Sequence, residues 1–275
     1  MKSIFILLSI FVCFTIQGQN QIFIKSKNTN QSIPYANIWE SNKIFTSSDS
    51  LGSFFIGEKY LNSKFKVSAV GYKTMDSIII NDRNTIYLEE DIIELKEISV
   101  SKRINSKNFK IGKVKNGDIG IVAEMNRETS QIGKFFVNNS SEKLFLDRFR
   151  FKTNCSSKNQ IVNILIYSVG DNGEPNEIIN TENIVCKLKK GYNTNEVDLR
   201  DLKIEFPVQG VFIVVNYLFL EQNKVYGKKN KNWYYYEPSL DALLVNQYTD
   251  TWHNDNNDWK KSNNCSVSFQ LIVTN

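Results

Sequence analysis

A single imidazole sets the first limit on what this chain can do. His253 is the only histidine in 275 residues, so any zinc site needing two imidazoles is out, the H-E-x-x-H class included. Asp250 and Asp255 lie close to His253 in sequence, and a Ser-His-Asp arrangement can be imagined there. No G-x-S-x-G elbow supplies the serine, and a His beside Asp in an Asn-rich loop reads as a surface residue. Glu196 and Asp198 share one face of a candidate strand, where paired carboxylates would suit glycoside chemistry. The longer alternating acid pattern of jelly-roll glycosidases is missing, so the pair reads as structural. Asp250, Asp255 and Asp258, with their Asn neighbours, offer oxygens to calcium, but their spacing is not that of an EF-hand loop and reads as a solvated turn. No phosphate-cradling loop ends in Gly-Lys-Ser/Thr. The expectation is therefore no catalytic residue, no metal and no cofactor.

Aromatic residues point instead to binding. Trp233-Tyr-Tyr-Tyr-Glu-Pro238 is followed by Trp252 and Trp259. In a strand, Trp233 and Tyr235 face one way and Tyr234 and Tyr236 the other. Flat rings stack on sugars and on peptide prolines. The binding candidates are thus Trp233, Tyr235, Trp252 and Trp259, set against the plainer reading in which these rings fill and rim a β-core.

The elements that must position them are strands. Leu144–Lys152 alternates apolar and polar residues with period two. Ile161–Val169, Glu182–Leu188, Thr194–Leu199, the strongly apolar Val211–Leu220 and Ser266–Thr274 follow, punctuated by turns such as Gly170-Asp-Asn-Gly-Glu-Pro175. This predicts a second β-sandwich or jelly-roll over 111–275, large enough to bury its own core. Three cysteines, Cys155, Cys186 and Cys265, lie beyond the N-terminal segment. If the first and last strands of this sandwich pair, Cys155 and Cys265 meet at one end, which makes Cys155–Cys265 the one plausible disulfide, set against the favoured reading of three unrelated buried or exposed thiols.

Further upstream, Pro34-Tyr-Ala-Asn-Ile38, Thr46–Asp49 with Gly52 and Phe54, Val67-Ser-Ala-Val-Gly-Tyr72, Ile86-Tyr-Leu88 and Leu95–Val100 together resemble the carboxypeptidase-regulatory-like domain family. The resemblance covers about residues 20–100 and departs from the family in the first strand, where Ile22-Phe-Ile-Lys25 carries Lys in place of Gly. It implies an all-β chain opening on a seven-strand, Greek-key, transthyretin-like sandwich of the Gram-negative envelope. It implies the accessory domain and not the catalytic one. Asp49 and Gly52 would hold a tight turn, and Gly71 would let Tyr72 fold back at a strand end.

Residues 1–18 combine a positive start, an apolar run from Ile4 to Ile16 and a small residue at the exit, the pattern of a cleaved signal peptide. Losing Lys2 takes the formal charge from +5 to +4. Basic residues such as Lys187-Leu-Lys-Lys190 are scattered, so nucleic acid is not an expected partner, and no later stretch is long and apolar enough for a spanning helix. The domain reading is 1–18 signal, 19–100 first sandwich, 101–110 linker and 111–275 second sandwich. No membrane barrel is expected after the first sandwich, which sets aside an outer-membrane receptor. What remains is an exported, non-catalytic module of the periplasm or outer surface of a Gram-negative bacterium, bound to an unknown envelope protein or glycan. A carbohydrate-binding protein is the alternative reading, and a hydrolase comes third.

Overall fold

The computed structural model describes residues 19–41, 43–80, 84–91, 106–124, 129–228, 230, 232–255 and 258–275. The signal segment 1–18, the stretch 101–105 of the expected linker and the whole Leu95–Val100 match lie outside them. Nearly everything described is strand and turn, with three short 3-10 turns and no helical core. No helix among the described residues is long and apolar enough to cross a membrane.

Seven strands build the first sandwich. They are β1 (Gln19–Ser26), β2 (Asn37–Glu40), β3 (Lys43–Ser47), β4 (Ser53–Gly57), β5 (Lys64–Ser68), β6 (Met75–Ile79) and β7 (Thr85–Leu88). One sheet has the order β4-β1-β7 and the other β3-β2-β5-β6. The chain changes sheet between β1 and β2, β3 and β4, β4 and β5, and β6 and β7, which makes a Greek key. Ile22, Ile24, Ile38, Phe54, Phe65 and Val67 fill the space between the sheets. The turn into β4 is held by Asp49, whose Oδ1 accepts the amides of Leu51 (2.9 Å) and Ser53 (2.8 Å). Gly52 there has φ +71, and a Cβ on it would lie 2.9 Å from the Ile33 backbone.

Fifteen strands build the second sandwich. The first six are β8 (Asn108–Gly112), β9 (Ile119–Glu124), β10 (Thr129–Phe136), β11 (Phe145–Cys155), β12 (Ile161–Val169) and β13 (Pro175–Ile178). Then come β14 (Ile184–Lys187), β15 (Gly191–Asp198), β16 (Val211–Tyr217), β17 (Lys224–Tyr226) and β18 (Tyr234–Leu244). The chain closes on β19 (Thr251–Asp255), β20 (Asp258–Lys261), β21 (Cys265–Val267) and β22 (Phe269–Thr274). One sheet runs β13-β12-β16-β10-β19-β20, with β14 also on β12. The other runs β17-β18-β11-β22-β8, with β15 on β11 and β9 and β21 on β18. β8 begins at Asn108, so pairing to β22 starts inside the span read as linker.

Between these sheets Phe149, Phe151 and Phe269 pack ring on ring at 5.1–6.1 Å. The strands β12 and β16 are buried on both faces. Val162, Ile164, Ile166, Val211, Ile213 and Val215 point into the main core. Leu165, Tyr167, Phe212 and Val214 point the other way, into a smaller cluster joined by Trp252 and by Val70 of the first sandwich. A strand covered on both faces reads as an unbroken apolar run, which is why these two stood out in the sequence.

The sandwiches meet through backbone and small polar groups. The amide of Ser47 donates to the carbonyl of Phe219 (3.3 Å), and the Phe219 amide donates to Ser47 Oγ (3.0 Å). Asn183 Nδ2 donates to the Pro34 carbonyl (3.1 Å). Gly71, at φ +79, comes so near that a Cβ there would stand 2.6 Å from the Thr181 carbonyl oxygen.

The Cys155–Cys265 disulfide considered from the sequence is not present. All three described cysteines are free and buried. β11 and β22 do pair, from Phe145↔Thr274 to Phe151↔Phe269. Beyond that point β18 wedges in, pairing Thr153↔Leu240 on one side and Ala242↔Val267 on the other. Cys155 and Cys265 therefore flank an intervening strand.

Candidate functional site

The acidic and imidazole groups weighed in the sequence are engaged structurally. Glu196 faces Arg148 (3.4 Å) and Arg150 (3.3 Å) on the outer surface of β11 and β15. Asp198 is held by Arg200 at 2.5 Å, and those guanidinium hydrogen bonds pull its carboxyl down to about 2. A carboxylate so stabilised as the anion is a poor general acid. His253 Nε2 lies 3.5 Å from Asp255 Oδ2, which also faces Lys260 Nζ at 3.6 Å, while Asp255 Oδ1 accepts the Thr129 hydroxyl. No hydroxyl or thiol hydrogen-bonds to His253 among the described residues. Asp258 stands across from Asp255 with Lys260 Nζ 3.6 Å from each. A lysine therefore sits where a cation bound by both carboxylates would need room, and the described residues contain no group of ligands able to hold a metal ion.

The aromatic candidates divide between two sheets and form no common row. Trp233 and Tyr235 touch at 5.3 Å beside β18, at the edge of the sheet that carries β17. Trp252 is buried on the far sheet, edge-on to Phe212 at 5.8 Å. Trp259, on the neighbouring β20, stands edge-on to Tyr167 at 5.5 Å. The four rings are separated because β18 and β19 belong to opposite layers of the sandwich.

What the far sheet does assemble is a row of amides. Register pairs Asn163 with Asn216, Asn216 with Gln131, and Gln131 with Asn254. Four carboxamides thus lie side by side across β12, β16, β10 and β19, with Trp259 next in line on β20. Gln131 Nε2 donates to Asn216 Oδ1 (3.2 Å), while Tyr167 Oη (3.2 Å) and Asn254 Nδ2 (3.4 Å) donate to Gln131 Oε1. Asn163 is anchored by the Ile184 amide and Asn183 at the β14 edge. Burial pushes the Tyr167 phenol up to about 12, which keeps it a donor. Asn163, Asn216 and Asn254 are buried, and the Asn254 Oδ1 oxygen has no hydrogen-bond partner among the described residues. A buried polar atom left unpaired costs about 1–3 kcal/mol.

This row floors a cleft of about 670 Å³ between the two sandwiches. The opposite wall is made by Trp39, Ser68 to Tyr72 and Asp91 of the first sandwich. Trp39 is fixed by its indole N–H on Ser68 Oγ (3.0 Å) and by Lys66 Nζ, 4.8 Å from its ring centroid. The volume falls within the roughly 300–1,000 Å³ of small-molecule sites. A second, larger cleft of about 1090 Å³ opens on the other side of Tyr35. Its walls are Phe45, Phe55, Phe219, Tyr234 and Tyr236, with Lys224 held over the Tyr234 ring at 4.2 Å.

Sequence reading missed the amide row altogether. Its members are up to 123 positions apart, and Asn is also the ordinary turn residue of this Asn-rich chain. The available signal was polar residues interrupting apolar runs, at Asn163 in Ile161–Val169 and Asn216 in Val211–Leu220.

No family model and no curated protein matches the chain. Among solved structures, it resembles the cysteine protease and lectin-like domains of Cwp84, a surface layer associated protein of Clostridium difficile. Identity is 14% and the TM-score 0.43, over 83% of this chain and 44% of that one. The same clostridial cysteine protease after propeptide cleavage is similar at 12% identity and a TM-score of 0.41, over 83% of this chain and 54% of that one. The chain thus spans about half the length of these proteins, and the likeness is a distant one of backbone course.

Proposed function

We propose that this chain is a non-catalytic recognition module of the cell envelope that seats a glycan in the amide-floored cleft. The observation that carries the reading is the row Asn163–Asn216–Gln131–Asn254 under an aromatic wall. A carboxamide offers both donors and acceptors, as a sugar hydroxyl does, and needs no charge to do so. Trp39 in the facing wall belongs to the ring type that stacks on sugar faces. Asn254 lines the cleft, and its buried Oδ1 has no hydrogen-bond partner among the described residues. An envelope protein, the other partner left open for a binding or assembly module, fits this cleft less well, because the centre of a protein interface is depleted in polar groups and built on apolar anchors.

In this reading the N-terminal sandwich is a carboxypeptidase-regulatory-like unit that supplies one wall. Residues 1–18 direct export, and the protein works in the periplasm or on the outer surface of a Gram-negative bacterium. The test is calorimetric titration of residues 19–275 with a panel of soluble oligosaccharides. Saturable binding is expected, with affinity lowered at least tenfold by Asn254→Leu. No binding, or binding indifferent to that substitution, overturns the reading.

A further inference from the structure

The charge around the cleft says which glycans it takes. The chain as a whole carries a formal +5. Among the residues lining the cleft, however, the formal charges are Asp91 from one wall and Glu177 from the other, and no Lys or Arg lines it. Both side chains are exposed, and neither has an ion-pair partner among the described residues. Of the basic groups in the surroundings, Lys27 and Lys73 face Glu89 at 2.7 and 4.0 Å, and Lys66, still charged, lies over the Trp39 ring, one positive charge against the two negative ones.

We infer that the site selects glycans that are uncharged or carry a free amine, and turns away those bearing uronate, sialate or phosphate groups. This rests on the glycan reading above. The amide row satisfies hydroxyls without regard to charge, so it sets the baseline affinity. The two carboxylates then tilt it. An anionic ligand brings a third negative charge between two that lack partners, whereas an ammonium group gains from both. At ordinary ionic strength the screening length is about 8–10 Å, comparable to the reach across a cleft of this size, so the bias persists at physiological salt and fades in high salt.

The experiment titrates residues 19–275 with three matched soluble oligomers, of N-acetylglucosamine, of glucosamine and of a uronic acid, at low and high salt. The expected order is amine first, acetylated second and uronate last. The spread is about tenfold at low salt and narrows at high salt. The double substitution Asp91→Asn with Glu177→Gln reduces the amine-to-uronate ratio to about twofold, and an unchanged melting temperature shows that this variant is folded. Glycan binding that is lost in Asn254→Leu but ranks uronate level with or above the amine overturns the charge preference and leaves the glycan reading standing. Binding of none of the three oligomers, or binding that survives Asn254→Leu, overturns both.

Discussion

Two clefts open where the sandwiches meet, and Tyr35 borders both. The larger is walled by phenyl and phenol rings packed on one another, Phe219 on Tyr236 at 4.7 Å and Tyr234 on Tyr236 at 5.7 Å. Those rings already serve each other, and Lys224 covers Tyr234 as Lys66 covers Trp39 in the smaller cleft. In the smaller cleft the polar groups are lined up by strand register and one acceptor is left over. Size and aromatic content favour the first cleft, while unspent hydrogen-bonding capacity favours the second. Since hydrogen bonding supplies direction and ring area does not, the smaller cleft is the better candidate for selective binding.

The sharpest way to break this contrast is Gln131→Leu. It removes the donor to Asn216 and the acceptor for Tyr167 and Asn254 at once. Glycan affinity should fall on the order of a hundredfold, with about 2–4 kcal/mol lost from unfolding stability in urea, because buried polar partners are left unpaired. Equal affinity in wild type and variant would move attention to the larger cleft. Trp39→Ala, which takes away a wall ring, should weaken binding about tenfold, given about 1–3 kcal/mol for a stacked ring. Trp39 is buried, so stability should fall as well, and binding is compared where circular dichroism shows the variant folded.

Ser47→Ala probes the seam shared by both clefts. It strands the Phe219 amide, and about 1–3 kcal/mol of stability should go with it, read from urea midpoints. Smaller again is the response to alkali. Burial raises the Cys155 and Cys186 thiols to about 11 from an ordinary value of 9.0. The unfolded chain therefore releases these protons first as pH rises. Stability from the buried neutral thiols is complete below pH 9 and drains away as pH climbs toward 11. Thermal melts across that window should show a decline, and thiol reagents at neutral pH should label the folded protein slowly. The smallest effect is assigned to Phe55→Ala, at the half-exposed rim of the larger cleft. Glycan affinity should change less than about twofold, and a larger loss there would erase the distinction between the clefts.

The all-strand architecture was legible because alternation is local. Ile161–Val169 coincides with β12, and Val211–Leu220 contains β16. Three strands before Phe145 went unnamed, since β8, β9 and β10 are short or broken by Gly, Lys and Asn. The disulfide weighed against free thiols is excluded by a non-local step: nothing near Cys155 or Cys265 announces that β18 will enter between their strands. The aromatic candidates part for a similar reason, for Trp233 and Trp252 are near in sequence yet sit in opposite layers. The amide row depends on three separate strand registers, and register is settled by the whole sheet.

The contact at Gly71 carries one more implication. Its backbone lies so close to the Thr181 carbonyl that there is no room for even a methyl group. The width of the smaller cleft is therefore gauged by a hydrogen atom at a point away from its floor. Any side chain at position 71 would act as a shim, lifting the Trp39 wall from the carboxamides while leaving every one of them in place.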